Sequence, residues 1–285
     1  LSGDQLYQMD FETLAEYHIE KDADLTIATI PVTDRDAPAF GIMKVQEGMI
    51  SRFIEKPDPE VLPEWTSDVS EENKNNGRLY LASMGIYIFK KSALKRLFDE
   101  NSEAIDFGKE IIPNAIEHGY KVASYEFGGY WTDIGNISSF FEANIELTDP
   151  VPRFNLFDNQ SIIYTRPRLL APSKIFGTQF NYSIMAEGGI IHADKIERSI
   201  IGIRSCIGDK TVITHSIIMG NDYFETIEQI TSRQEGVPIM GIGQHCFIER
   251  AIIDKNVRIG NNVYIRGHSS LPDMETNEYC IKDGI

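Results

Sequence analysis

The sequence predicts a layered α/β domain followed by a parallel β-helix. Three observations carry this reading. Up to about residue 148, strand and helix signals alternate, which implies helices packed on a mainly parallel sheet. At Asp149-Pro-Val-Pro-Arg the rhythm changes, and the run reads as a linker. Beyond about residue 168, isoleucine recurs in steps of six, at Ile201, Ile207 and Ile213 and again at Ile253, Ile259 and Ile265. The organisation implied is an α/β domain over 1–148, a linker over 149–168 and a β-helix over 169–285.

In chain order, Phe11 to His18 has Phe11, Leu14 and Ala15 on one helical face. Leu25 to Val32 is β-branched and reads as a strand broken at Pro31. Gly41 to Lys44 and Met49 to Glu55 form a hairpin closed near Gln46-Glu-Gly. Glu64 to Arg78 is polar and without apolar period, so an exposed, mobile loop is expected. Ser83 to Phe89 is an apolar strand. Lys90 to Phe98 is a helix with Leu94, Leu97 and Phe98 inward. Asp106 to His118 is a helix on Ile111, Ile112 and Ile116. Val122 to Glu126 is a strand and Ile137 to Leu147 a helix.

In the second half, glycine follows several of the repeated isoleucines, as in Ile201-Gly, Ile207-Gly, Ile242-Gly and Ile259-Gly. One side of a triangular coil takes about six residues, and its aliphatic residue stacks on the next coil. The alternative is a set of ordinary antiparallel strands rich in isoleucine. Residues 220–240 break the period and read as an inserted loop.

Composition limits what the protein can do. The 285 residues are 42% apolar, enough for one large core or two ordinary ones. Lys plus Arg is 27 against 43 Asp plus Glu, a formal charge of −16. That makes the chain a poor candidate for sequence-independent nucleic-acid binding, which requires phosphate neutralisation. A small phosphorylated substrate stays open, because local charge sets a site. No apolar run is long enough to span a bilayer. Cys206, Cys246 and Cys280 are too few and scattered for a disulfide framework or zinc cluster, so a reducing, cytoplasmic compartment is expected.

Four segments of the first half could carry chemistry. In Leu1-Ser-Gly-Asp-Gln-Leu-Tyr-Gln-Met-Asp, Asp4 follows a small-residue turn, where α/β folds place ligands. An ordinary turn is the alternative. Phe53-Ile-Glu-Lys-Pro ends a strand in Glu55 and Lys56, and a lysine there can meet one phosphate. In Leu81-Ala-Ser-Met-Gly-Ile-Tyr-Ile-Phe, Ser83 and the Gly85 backbone can hydrogen-bond a ligand, though a plain core strand explains them equally. Gly128-Gly-Tyr-Trp-Thr-Asp-Ile-Gly sets Tyr130 and Asp133 in a glycine-rich turn. Two aspartates from distant segments can hold one Mg²⁺, which suits phosphoryl or nucleotidyl transfer.

Taken together, these segments resemble the sugar-nucleotide pyrophosphorylases, specifically the glucose-1-phosphate adenylyltransferase family. LSGDQLYQMD is similar to that family's L-x-G-D-H-L-Y-x-M-D. FIEKP, LASMGIYIF, DFGKEIIP and YWTDIGNISSFFEANIEL follow in the family's order, as do YTRPRLLAPSKI and RAIIDKNVRIG. The resemblance implies a Rossmann-like nucleotidyltransferase domain followed by a left-handed parallel β-helix. It implies conversion of ATP and α-glucose 1-phosphate into ADP-glucose and diphosphate with Mg²⁺, for glycogen or starch synthesis. It makes Asp4 and Asp133 the metal-binding carboxylates and Lys56 the contact to the sugar phosphate. Glu55, Ser83, Gly85 and Tyr130 become sugar contacts. It further implies an anionic allosteric effector held by Arg166, Arg168 and Lys255, and a homotetramer. Solvated surface arginines are the plainer reading of Arg166 and Arg168.

The sequence departs from the family pattern in places. The glycine-rich G-G-x-G-T-R-L-x-P-L-T loop that wraps the ATP phosphates has no counterpart. Residue 1 is Leu rather than Met, and IKDGI matches a point where the family continues. The expectation is a fragment with little adenylyltransferase activity as it stands. Gln5 and Gln8 replace the family's usual His and frequent Arg. Three rival readings remain. One is a nucleotidyltransferase making GDP- or UDP-sugars. Another is a hexapeptide-repeat acyltransferase using His215 or His245. The last is a non-catalytic regulatory subunit.

Overall fold

The computed structural model describes residues 1–285. The chain divides into two compact units, Leu1–Trp131 and Thr132–Ile285.

The first unit opens with β1 (Gln5–Tyr7) and helix α1 (Phe11–Glu20). The Asp10 side chain caps α1 by accepting the Glu12 N–H, and Leu14 and His18 face inward. A sheet follows, built from β2 (Leu25–Val32), β3 (Gly41–Gln46), β4 (Met49–Glu55), β5 (Tyr80–Phe89) and β6 (Val122–Glu126). Its order is β2-β5-β3-β4-β6, and it closes where β6 returns to β2.

Contrary to expectation, this sheet is mainly antiparallel. Only β2 and β6 run parallel. The β3–β4 connection supplies one physical reason. Parallel neighbours need a crossover of about a dozen residues or more, usually helical. β3 and β4 are instead joined by Glu47-Gly48, both at positive φ (51° and 80°), as a two-residue hairpin with matching twist requires. Between β4 and β5 the only regular pieces are a 3₁₀ turn (Leu62–Trp65) and the short helix α2 (Glu71–Asn75).

Three further expectations need correction. β2 runs through Pro31, which pairs with Leu81. The β2–β6 pairing ends at Thr29, so Pro31 lies where one edge of β2 has lost its neighbour, a position that tolerates proline. Phe98 on α3 (Lys91–Glu100) is exposed, whereas Ala93 and Leu97 are buried. The 64–78 segment is anchored, because Trp65 and Val69 are each 5% exposed. The Arg52 guanidinium lies 4.4 Å from the Trp65 ring centroid. The Ser67 hydroxyl donates to the Met43 carbonyl (2.8 Å) and accepts from the Val45 N–H (3.1 Å).

The helix expected from Asp106 starts as a π-helical turn (Phe107–Ile111) and continues as α4 (Ile112–Glu117). The Asp106 carboxylate accepts the Lys109 N–H at 2.8 Å and caps it. Ile111, Ile112 and Ala115 bury against Leu25, Ile27 and Val122 of the sheet.

The second unit contains helix α5 (Ile137–Glu146) and a β-helix. The β-helix has three sheets of four, five and five short strands, and all of its cross-coil pairs are parallel. This rules out the antiparallel alternative. The stepping isoleucines point inward and stack coil on coil. Ile191 lies beside Ile207, Ile207 beside Ile242, and Ile242 beside Ile259. Ile196, Ile213, Ile248 and Ile265 form a second row. Ile191, Ile196, Ile201, Ile213 and Ile248 are fully buried.

One corner of successive coils carries Tyr182, Arg198, His215 and Arg250, at φ between 43° and 50°. Each such non-glycine residue costs roughly 1–2 kcal/mol, which the coil-to-coil pairing offsets. The 220–240 stretch is an insertion, as its lost period predicts, and it holds a short helix (Ile227–Thr231) with a capping box. Glu225 fastens it to Arg258 at 2.6 Å and to the Met240 N–H at 2.8 Å. The apolar face of α5 packs on β-helix residues, with Phe141 and Ile145 against Ile217. At the start of the linker segment, Asp149 pairs with Arg198 at 2.7 Å.

Candidate active site

A cleft in the first unit is lined by Ser2, Glu55, Gly85, Tyr87, Asp106 and Gly108, with Phe89 and Phe107 on its apolar side. Five pieces of chain meet there: the amino-terminal turn, the end of β4, the second half of β5, Leu94 of α3 and the turn before α4.

Glu55 is half-buried at the end of β4. Burial pushes its carboxyl above the usual range. The Lys56 ammonium opposes that rise, and the Asp106 carboxylate adds to it. Lys56 is exposed and has φ 48°, with its N–H donated to the Phe40 carbonyl at 3.0 Å. A lysine in this conformation costs about 1–3 kcal/mol, and such strain gathers at ligand sites.

On β5, the Ser83 hydroxyl accepts the Gly85 N–H at 3.2 Å and lies 3.3 Å from the Tyr87 hydroxyl. Burial raises the Tyr87 phenol above its ordinary value, opposed by the Ser83 bond. Gly85 is at φ 67°, and its carbonyl accepts the Ser2 N–H at 3.0 Å. The Ser2 hydroxyl donates to Asp4 Oδ1 at 2.6 Å. Asp4 is exposed, one residue before β1. Of the residues expected from sequence, the cleft thus brings together Glu55 and Gly85, with Ser83 hydrogen-bonded at its wall. Asp4 is tied to the lining residue Ser2, and Lys56 follows Glu55 directly. Tyr130 is half-buried next to Trp131, whose indole N–H donates to Gln5 Oε1 at 3.2 Å.

Asp133 belongs to the second unit, where its Oδ1 accepts the Gly135 N–H at 2.8 Å. Within that unit, Arg166 and Arg168 are exposed in the stretch between α5 and the first coil. Lys255 lies on the β-helix, and its ammonium pairs with Asp222 Oδ1 at 3.0 Å. His215 and His245 both occupy left-handed corners of the coil rather than a cleft.

Sequence reasoning did not single out Tyr87, Asp106 or Gly108. The signal was available, because Asp106 and Gly108 belong to DFGKEIIP and Tyr87 to LASMGIYIF. Neither residue type nor spacing marks them before the chain is folded.

Asp4 and Asp133 each carry the oxygen donors that a hard divalent cation prefers. Asp4 and Asp133 are carboxylates, each with one oxygen committed to a local hydrogen bond. No group of three or more His, Cys, Asp or Glu is arranged to hold a metal. Magnesium is commonly held by one or two carboxylates together with substrate phosphates, so either carboxylate taken singly has the chemistry for that mode. Chemically, the cleft offers carboxylates and a hydroxyl to bond a polyol and a cation beside them to meet an anion.

The family model for nucleotidyl transferase matches residues 1–150, and that for the GLGC left-handed parallel beta-helix domain matches residues 168–285. The chain is 42% identical over 296 residues to the chloroplastic/amyloplastic small subunit of glucose-1-phosphate adenylyltransferase from Triticum aestivum. That alignment covers 100% of this chain and 62% of the relative, so the chain spans under two-thirds of that protein's length. No helix is long and apolar enough to cross a membrane. Two family models in this order and a relative aligned along the full chain agree with the fold: the chain belongs to the nucleotidyl transferase family, among members that carry a left-handed β-helix.

Proposed function

We propose that this chain supplies the sugar-phosphate side of a glucose-1-phosphate adenylyltransferase. The reaction would join ATP and α-glucose 1-phosphate to give ADP-glucose and diphosphate, for glycogen or starch. The observation that carries the reading is the cleft, where Glu55, Ser83, Gly85 and Asp106 gather next to Lys56 in a chain 42% identical to such an enzyme's small subunit.

In this reading the Glu55 and Asp106 carboxylates accept hydrogen bonds from sugar hydroxyls, and the Lys56 ammonium meets the sugar phosphate. An oxygen of that phosphate attacks the α-phosphorus of ATP, and diphosphate leaves with the electrons of the broken P–O bond. No protein nucleophile is required, so positioning and charge neutralisation supply the catalysis. Asp4 in the first unit and Asp133 in the second each offer a carboxylate to Mg²⁺, which would offset phosphate charge. Asp4 is kept in orientation by the Ser2 hydroxyl and Asp133 by the Gly135 N–H. Arg166, Arg168 and Lys255 would receive an anionic effector, and assembly would be a homotetramer. The three cysteines are free, which suits a reducing compartment such as the cytoplasm.

Calorimetric titration of the 285-residue chain with glucose 1-phosphate tests the proposal. Saturable binding that Lys56→Ala weakens by about 1.5–3 kcal/mol, the scale of one lost hydrogen bond to a charged group, supports it. Absence of binding, or binding indifferent to Lys56, overturns it. Competition by ATP, GTP and UTP separates the adenylyl reading from other sugar nucleotides.

A further inference from the structure

The Glu55 carboxylate rests against two residues that have no side chain. Gly41 is its cross-strand partner on β3. A Cβ there would come within 2.7 Å of Glu55 Oε2 and also within 2.5 Å of the Phe53 ring. Gly108 closes the other side, from the turn before α4. A Cβ at Gly108 would lie 2.8 Å from Glu55 Oε2, too close for a real contact, and a tight 3.3 Å from its Cδ.

The Gly108 backbone is not free to retreat. Glu110 Oε2 accepts the N–H groups of Ile105 (2.8 Å) and Asp106 (2.9 Å), and Asp106 Oδ1 accepts that of Lys109 (2.8 Å). The following Ile111 and Ile112 are locked in the core. Gly108 is not among the residues at positive φ, so conformational freedom does not explain it. Space does. The obstacle to a side chain at 108 is the carboxylate of one functional glutamate, with the Asp106 carboxylate at ordinary contact distance, 3.5 Å.

We infer that Gly108 is a positioning residue: its missing side chain fixes where the Glu55 carboxylate stands, and so which hydroxyls of a hexose 1-phosphate that carboxylate can accept. The inference deepens the proposed function and rests on it. An alanine at 108 pushes the carboxylate out of its seat while leaving the backbone as it is, because the end of a side chain moves more cheaply than a pinned turn. The effect therefore falls on sugar binding rather than on folding.

The test titrates glucose 1-phosphate into four forms of the 285-residue chain: wild type, Gly108→Ala, Glu55→Asp and the double variant. Gly108→Ala is expected to weaken binding by about ten- to a hundredfold, the scale of an ångström-level misplacement, with Tm nearly unchanged. Aspartate is one methylene shorter and does not reach the space over residue 108. In the Glu55→Asp background, Gly108→Ala should therefore change the Kd less than about twofold. A purely structural role for Gly108 predicts additive losses instead. Unchanged binding by Gly108→Ala, or additive losses in the double variant, overturns the inference. If Gly108→Ala alone does not fold, recovery of Tm in the double variant supports it and continued loss refutes it. A wild-type chain that does not bind glucose 1-phosphate refutes the sugar-phosphate reading itself, a result distinct from these.

Discussion

Glycine does different work in the two units. In the β-helix, a Cβ at Gly208 would lie 2.5 Å from the carbonyl carbon and 2.6 Å from the carbonyl oxygen of Gly243 in the next coil. In the α/β unit, a Cβ at Gly108 would meet the carboxylate of Glu55. One glycine stands against backbone that stacking has fixed, and the other against a side chain that ligand recognition needs. Repetition explains the contrast. A β-helix stabilises itself coil by coil, so each position answers to the same spacing. The α/β unit converges five unlike segments on one cleft, and its special residues answer to what the cleft holds.

The largest expected effect tests whether stability in the β-helix resides in the stacked row. Ile213 is fully buried between Ile196 and Ile248. Ile213→Ala should cost about 2–5 kcal/mol. Ile190, adjacent to the buried Ile191, is 39% exposed, and Ile190→Ala should stay within about 0.5 kcal/mol. Both tryptophans, Trp65 and Trp131, belong to the first unit, so indole fluorescence follows that unit alone. Ile213→Ala should lower the melting transition seen by circular dichroism and leave the fluorescence transition in place. A matching shift in fluorescence would show that the two units unfold as one.

Gly208→Ala comes next, at about 1–3 kcal/mol of overpacking, and again only in the circular-dichroism transition. Set beside Gly108→Ala, it breaks the comparison if both variants lose stability equally.

The sequence made the second unit more legible than the first, for a physical reason. A repeat states its rule many times, so Ile201, Ile207 and Ile213 announce spacing and inward direction before any fold is known. The lost period at 220–240 marks the insertion just as clearly. The α/β unit states each rule once. Its helices and strands were readable from local periodicity, but strand direction was not. That depended on the Glu47-Gly48 hairpin and on which strands become neighbours once the sheet closes. Trp65 and Val69, two apolar residues among polar ones, carry no period, and their burial appears only once Arg52 and Ser67 fold over them. In the same way, Asp4, Glu55, Lys56 and Ser83 stand out through family-like segments. Asp106 and Gly108 gain meaning only from their distance to Glu55.

Glu55 gives a smaller effect of opposite sign. Burial raises its folded pKa above the unfolded value, which is near 4.5. Between the two values the native state binds more protons than the unfolded state, so stability falls as pH rises through that window. The penalty is complete once the pH has passed the folded value. Glu55→Gln should therefore raise the urea midpoint at pH 7 and change it little below pH 4, while weakening glucose 1-phosphate. Stability lost at pH 7 would mean that the carboxylate is a structural partner rather than a group held for ligand.

The smallest effect probes the periphery of the same unit. Asp22 follows α1 at φ 46° and holds Lys90 at 2.6 Å and Lys121 at 2.7 Å. Their ammonium groups, that of Lys121 first, lower its pKa to about 2. A depressed carboxylate contributes stability that is present above its unfolded value, near 3.8, and is lost as pH falls through about 2. The group is fully solvent-exposed, so salt screens it. Asparagine keeps the shape and tolerates the left-handed backbone, so Asp22→Asn isolates the charge. It should slightly lower the fluorescence-detected transition at pH 7 in dilute buffer, and the difference should vanish at high salt and near pH 2. All three residues lie within Leu1–Trp131, so the circular-dichroism transition of the β-helix should not respond. An undiminished difference at high salt would mean that Asp22 acts through the shape of the turn rather than its charge. Stability at this edge would then share the geometric origin of the β-helix corners.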